Sequence, residues 1–142
     1  MVYRSEVAGQ VIACAIRVHR ALGPGLLESA YQKCLGFEMK RSGLRVAAQV
    51  DVPLRYEDVV LDRGYRLDFV VEDSVIVEVK SVERVLPIHK AQVLTYLRLT
   101  GLGQGLLLNF CVSAMKHGIS SLVHRGMGSQ RDVEGLEPDE PV

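Results

Sequence analysis

Asp68, Glu78 and Lys80 are the side chains whose types and spacing point to chemistry. In Val75-Ile76-Val77-Glu78-Val79-Lys80, strand alternation sets Val75, Val77 and Val79 on one face and Ile76, Glu78 and Lys80 on the other. Glu78 and Lys80 then stand roughly 6.6–6.8 Å apart along the strand. So apolar a strand reads as central, and a charge buried there is costly unless it is paired or binds a metal. Just upstream, Leu67, Phe69 and Val71 are expected on one face and Asp68 on the other. A tight turn at Glu72-Asp73-Ser74 would fold Asp68 back beside Glu78. Two converging carboxylates repel, and a hard divalent cation removes the repulsion. Mg²⁺ takes oxygen ligands at about 2.0–2.1 Å, commonly one or two carboxylates plus water and substrate phosphate. A lysine beside it can orient water and offset charge building on phosphorus. The constellation suits a metal-dependent phosphodiesterase. Taken alone it is short and common, and an ion pair between Lys80 and one of the acids, on a solvated sheet face, is the competing reading.

Other residues add to it. Glu28 and Tyr31 lie one turn apart on a helix whose apolar stripe is Leu27, Tyr31, Leu35 and Met39, so Glu28 is expected at the core edge. Its alternative role is to complement the helix dipole. Gln92 and Tyr96 are spaced one turn apart on a later helix, and Gln92 interrupts an apolar face extended by Ile88 and Leu99. A merely hydrogen-bonding helix glutamine is the alternative there. His19 can contact phosphate or move a proton near neutral pH. It can also bond the carbonyls that end its own helix, and that structural role is the expectation. His89, His117 and His124 show no metal-ligand spacing.

The elements that must hold these groups follow from periodicity. Ser5 caps a helix to about Leu22 with Val7, Val11, Ala15, Val18 and Leu22 on one face. Gly23-Pro24-Gly25 ends it, and a second helix, with Pro24 in its first turn, runs to Ser42. The period then changes to two. Arg45 to Leu54 reads as a strand with one buried face, and Pro53 marks an edge or an end. Val59 to Leu61 and Tyr65 to Val71 continue as strand, broken at Arg63-Gly64, and Val75 to Val82 follows. Pro87 opens a third helix that Gly101 closes. Leu106 to Phe110 reads as a buried strand and Ile119 to His124 as a last short one. The order α, α, β, β, β, α, β, β implies an α/β (α+β) fold, a mixed central sheet with helices packed on it.

The 142 residues, 48% hydrophobic and 24% charged, fit one domain with a sizeable core. No apolar run approaches the roughly 18 residues of a membrane span. The start, Met-Val-Tyr-Arg-Ser-Glu, lacks a signal-peptide layout. Cys14, Cys34 and Cys111 form no CxxC and are expected to be reduced, packed thiols in a cytoplasmic protein. The net charge is zero but unevenly spread. Gln130 to Val142 holds five acids and one base, which leaves the body at +4. A domain over 1–125 and an acidic, disordered tail over 126–142 are expected. The surplus allows a polyanionic partner without demanding one.

Taken together, the chain resembles the GxxExxY proteins of the PD-(D/E)xK nuclease-like superfamily. Val18-His19-Arg20-Ala21-Leu22-Gly23-Pro24-Gly25-Leu26-Leu27-Glu28-Ser29-Ala30-Tyr31 looks like their signature. Gly64-Tyr65-Arg66-Leu67-Asp68, Val77-Glu78-Val79-Lys80, Ala91 to Leu97 and Gly105 to Phe110 follow in the matching order. Leu67 stands where the superfamily name has proline, and Cys111 where glycine is usual. The resemblance implies a restriction-endonuclease-like αβββαβ core. It implies that Asp68, Glu78 and Glu28 serve a metal, Mg²⁺ or Mn²⁺ in its place, with Lys80 and Gln92 catalytic and Tyr31, Tyr96 and His19 supporting. The implied activity is phosphodiester hydrolysis in DNA or RNA. The alternative is a non-catalytic module, binding nucleic acid or protein on the same fold, and a weaker one is a component acting only within a complex. A homodimer is compatible, since one small site cuts one strand.

Overall fold

Ser5 starts the first helix. Its hydroxyl accepts from the Ala8 N–H at 3.1 Å and caps α1, Glu6–Leu22. The computed structural model describes residues 5–124, so the acidic segment over 126–142 lies outside the described residues. Val11, Ala15 and Val18 are buried on α1 as the period requires, while Val7 is half-buried and Leu22 exposed. The second helix, α2, spans Glu28–Arg41. Pro24 lies in the preceding loop rather than in the helix, because Gly25 at φ 103° keeps the chain out of helical conformation there. Leu27 also departs from expectation. It precedes the helix, is 77% exposed, and leaves the buried stripe to Tyr31, Leu35, Gly36 and Met39.

The strands are β1 Val46–Tyr56, β2 Val59–Val71, β3 Val75–Lys80, β4 Gln104–Asn109 and β5 Ile119–Val123. They form one sheet in the order β1-β2-β3-β4-β5. Only β3 and β4 run parallel, joined by α3, Pro87–Thr100. A short 3-10 turn, Met115–Gly118, leads into β5. The expected mixed sheet flanked by helices is therefore what the chain forms. Helices α1 and α2 cover one face over Phe69, Val71, Val75, Val77, Val79, Leu106 and Leu108. Helix α3 covers the other over Leu67, Ile76, Leu107 and Leu122. A Cβ at Gly105 would come within 2.6 Å of the Val93 side chain, so this glycine lets α3 lie directly on β4.

Three strand details differ from the expectation. First, β2 is continuous through Arg63-Gly64. β1 bulges between Val52 and Leu54, where Pro53 has no N–H to donate, and a Cβ at Gly64 would sit 2.7 Å from the Leu54 Cβ. The glycine accommodates the bulge instead of ending the strand. Second, Leu67 does not share a face with Phe69 and Val71. It packs with Val52 under α3, while they pack under α1 and α2. Gln49, at φ 54°, marks the crossover, so the two-stranded ribbon wraps from one face of the sheet to the other. Third, β1 consequently has no single buried face. Val46 packs on the α1–α2 side and Val50 and Val52 on the α3 side.

Candidate active site

The site arises where one strand seam stops. β2 and β3 pair through Val71↔Val75, Val70↔Ile76 and Phe69↔Val77. The next pair in register would be Asp68 and Glu78, and there the side chains replace the ladder. The Asp68 N–H donates to Oε2 of Glu78 at 2.8 Å, and the Val79 N–H donates to Oδ2 of Asp68 at 2.8 Å. The two carboxylates thus sit side by side between the strands, each with one oxygen bound to backbone. Oδ1 of Asp68 and Oε1 of Glu78 have no hydrogen-bond partner among the described residues. On the other side of β3 the parallel seam runs unbroken to Lys80↔Asn109. Asn109 secures that end. Its Oδ1 accepts from the Val82 N–H at 3.0 Å, and its Nδ2 donates to the Val82 carbonyl at 2.9 Å.

Electrostatics marks the pair as expensive. Glu78 is only 8% exposed, and burial, reinforced by the Asp68 charge, pushes its pKa up from 4.5 to about 8. Asp68 is raised too, mainly by burial, against the Val79 N–H and the Lys80 charge that lower it. The Glu28 charge raises both carboxylates, and the Lys80 charge lowers both. These four residues therefore share one electrostatic neighbourhood. Lys80 is half-buried and forms no ion pair among the described residues. A solvated Asp–Lys or Glu–Lys pair is accordingly not what the chain builds.

The loop before α2 is held in place from two sides. The Tyr31 hydroxyl donates to the Gly23 carbonyl and accepts from the Leu26 N–H, while its ring stacks on Phe110 at 4.6 Å between centroids. The Ser81 hydroxyl, next to Lys80, donates to the Leu26 carbonyl at 2.7 Å. Tyr31 therefore sits in the core and braces the loop that delivers Glu28. Tyr96 of α3 comes near the acids. Burial and the charges of Glu78 and Asp68 raise its pKa.

Gln92 is placed differently from the expectation. It is exposed, with Ile88 and Leu99 on the same outward face, and its side chain has no hydrogen-bond partner among the described residues. The buried stripe of α3 is Val93, Leu94 and Leu97 instead. His19 is buried and structural in its contacts, though not through its own helix end. Its Nε2 bonds the Val112 carbonyl at 2.8 Å and ties α1 to the chain beyond β4. Two residues near the site went unassigned in the sequence reading. Tyr65 stacks on Tyr96 with centroids 4.3 Å apart, and its hydroxyl is buried without a partner among the described residues. Burial, then the neighbouring Tyr96, pushes its pKa to about 12. Asn109 is the other. Both lie inside motif runs, but only the fold reveals what they touch.

The donor set suits a hard divalent cation: two adjacent carboxylates, each raised in pKa by burial and each with an unengaged oxygen and no compensating ion pair among the described residues. No group of three or more His, Cys, Asp or Glu side chains among the described residues is arranged to hold a metal, so Glu28 stands outside the immediate pair. No helix among the described residues is long and apolar enough to cross a membrane.

No curated protein matches the chain. Among solved structures, the crystal structure of SSO0001 is similar at 18% identity and a TM-score of 0.44, over 99% of this chain and 77% of that one. Residues 5–122 match the family model of the PD-(D/E)XK nuclease superfamily, a span that includes Glu28, Asp68, Glu78, Lys80 and Gln92. The chain belongs to the PD-(D/E)XK nuclease superfamily.

Proposed function

We propose that the protein is a divalent-metal-dependent nuclease that hydrolyses phosphodiester bonds of nucleic acid at Asp68, Glu78 and Lys80, and that within the superfamily it is a GxxExxY protein. Divalent-metal dependence is general among these nucleases. The observation that carries the reading is the pairing of half-buried Asp68 with buried Glu78, which breaks the β2–β3 ladder and leaves one oxygen of each carboxylate unengaged among the described residues. Asp68 and Glu78 would hold the cation, Mg²⁺ or Mn²⁺. When bound, it would neutralise charge on the phosphate and make water more acidic. Lys80 would hold the attacking water and offset charge on the phosphate oxygens. Glu28 would act from the loop side, through water. Gln92, exposed one turn before Tyr96, would meet substrate rather than the carboxylates. Tyr31, Tyr96 and His19 would keep the surrounding elements in position.

With Cys14, Cys34 and Cys111 all free, a reducing, cytoplasmic setting belongs to the same proposal. So does a homodimer wherever both strands of a duplex are cut. The test is cleavage of labelled DNA and RNA in Mg²⁺ and Mn²⁺ by wild type, Glu78→Gln and Lys80→Ala. Metal-stimulated cleavage by wild type that both substitutions abolish is expected. Equal cleavage by all three would overturn the assignment. Nucleic-acid binding without hydrolysis would make the protein a binding module on a nuclease fold.

A further inference from the structure

Helix α2 presents an outward face that the core does not use. Lys33, Phe37, Lys40 and Arg41 are exposed along it, and Phe37 is 61% exposed. Beside this face lies a groove of about 490 Å³ between α2 and β1. Its floor is apolar. Gly36 allows the helix to lie on Phe69, whose ring would come within 3.3 Å of any Cβ added there. Its rim is cationic, with Lys33 and Lys40. Among the described residues neither lysine has an ion-pair partner, whereas Glu38 on the same helix is held by Arg17 at 3.2 Å and Arg41 at 2.8 Å. The Arg41 guanidinium lies 5.4 Å from the centre of the Phe37 ring. The lining also includes Ser29, at the start of α2, and Ala48 and Gln49 of β1.

Resting on the nuclease reading, we propose that this groove holds a single-stranded nucleic acid, with a base stacked on Phe37 and phosphates against Lys33 and Lys40. An exposed aromatic between cations, over an apolar floor, fits a polyanion with free π-faces. A single strand offers both, whereas the bases of a duplex already stack on one another. A site fed by one strand also needs no second copy of the chain.

The test is fluorescence anisotropy with short labelled single-stranded DNA and RNA and the matching duplex, in EDTA so that nothing is cut. Wild type is compared with Phe37→Ala, Phe37→Trp and the double variant Lys33→Ala/Lys40→Ala, and cleavage in Mg²⁺ is measured in parallel. Wild type should prefer the single strand. Phe37→Ala should weaken that binding about tenfold and Phe37→Trp should retain it. The double variant should lower the salt dependence by about 0.7 in log–log slope per lysine. If Phe37→Ala binds like wild type, or the duplex is preferred, while cleavage still requires Lys80, the groove does not hold the strand and the nuclease reading stands. If wild type neither binds nor cuts nucleic acid, both fall, and the cationic face is left to an acidic protein partner.

Discussion

The two seams of β3 differ although they share one strand. Towards β4 the pairing is parallel and runs from Val75↔Gln104 to Lys80↔Asn109, with β4 buried throughout. Towards β2 the antiparallel pairing ends after Phe69↔Val77, and carboxylates take over from carbonyls. The first seam fixes where Glu78 and Lys80 stand. The second leaves an opening in which polar groups can gather. A sheet that was regular on both sides would have no place for a second carboxylate, and one open on both sides would not hold the first. Rigidity on one flank and interruption on the other let a carboxyl pair sit at a defined position near the middle of the sheet.

The largest effect should come from the open seam. Glu78→Gln or Asp68→Asn preserves shape and removes a negative charge, so cleavage in Mg²⁺ should fall by more than the about 10- to 100-fold that outer-shell changes cause at metal sites. Stability should change little by comparison. Steady-state cleavage beside urea unfolding checks both halves, and a variant that lost stability and activity in proportion would remove the distinction between the seams. The closed seam should show the opposite balance. Leu107 on β4 is buried against α3, and Leu107→Ala should cost about 2–5 kcal/mol in urea unfolding. Any activity lost should return when the fraction folded is taken into account. Activity lost without destabilisation would mean that β4 also takes part in the chemistry.

The next effect is a pH dependence that only the open seam predicts. The carboxyl of Glu78 titrates near 4.5 ordinarily and is pushed to about 8 in the folded chain. Between those values the folded protein keeps a proton that the unfolded chain has released. The stabilisation is complete below about 4.5 and is lost as pH rises through about 8. Asp68 shifts in the same direction. The metal-free protein in EDTA should therefore melt at least about 4 °C lower near pH 9 than near pH 5.5, and Glu78→Gln should lack Glu78's share of that fall. A Tm that rises with pH over this range, or an identical fall in the variant, would show that the carboxyl is not held protonated by burial.

Much of this was legible in the sequence because it is local or periodic. The helix cap at Ser5, the close of α3 at Gly101, the change from helical to strand period near Arg45 and the D…ExK spacing each depend on residues near one another in the chain. What escaped depends on distant partners. Gly64 looks like a strand breaker until Leu54 is seen pressing on it from β1. Leu67 shares parity with Phe69, but the ribbon crosses faces at Gln49, a residue whose type does not advertise φ 54°. The partner of His19, the Val112 carbonyl, belongs to the far end of the chain. The hairpin turn that folds Asp68 back to Glu78 is local and legible, but the exchange of backbone N–H groups for carboxylates depends on both strands and on neither segment alone.

Helix α3 offers the smallest and most discriminating prediction. Two apolar rows run along it, Ile88 with Leu99 and Val93 with Leu97, and only packing against β4 decides between them. The sheet takes the second row, which leaves Gln92 outside and turns Tyr96 towards the acids and Tyr65. Gln92→Ala should therefore alter stability by less than about 0.5 kcal/mol, as exposed substitutions generally do. If Gln92 meets substrate, its loss should raise KM for cleavage by less than about tenfold and leave kcat within a factor of about two, since one exposed hydrogen bond contributes about 0.5–1.5 kcal/mol. A fall in kcat with KM unchanged would instead bring the amide into contact with the reacting groups, and α3 would have to rotate or shift on substrate binding to put it there.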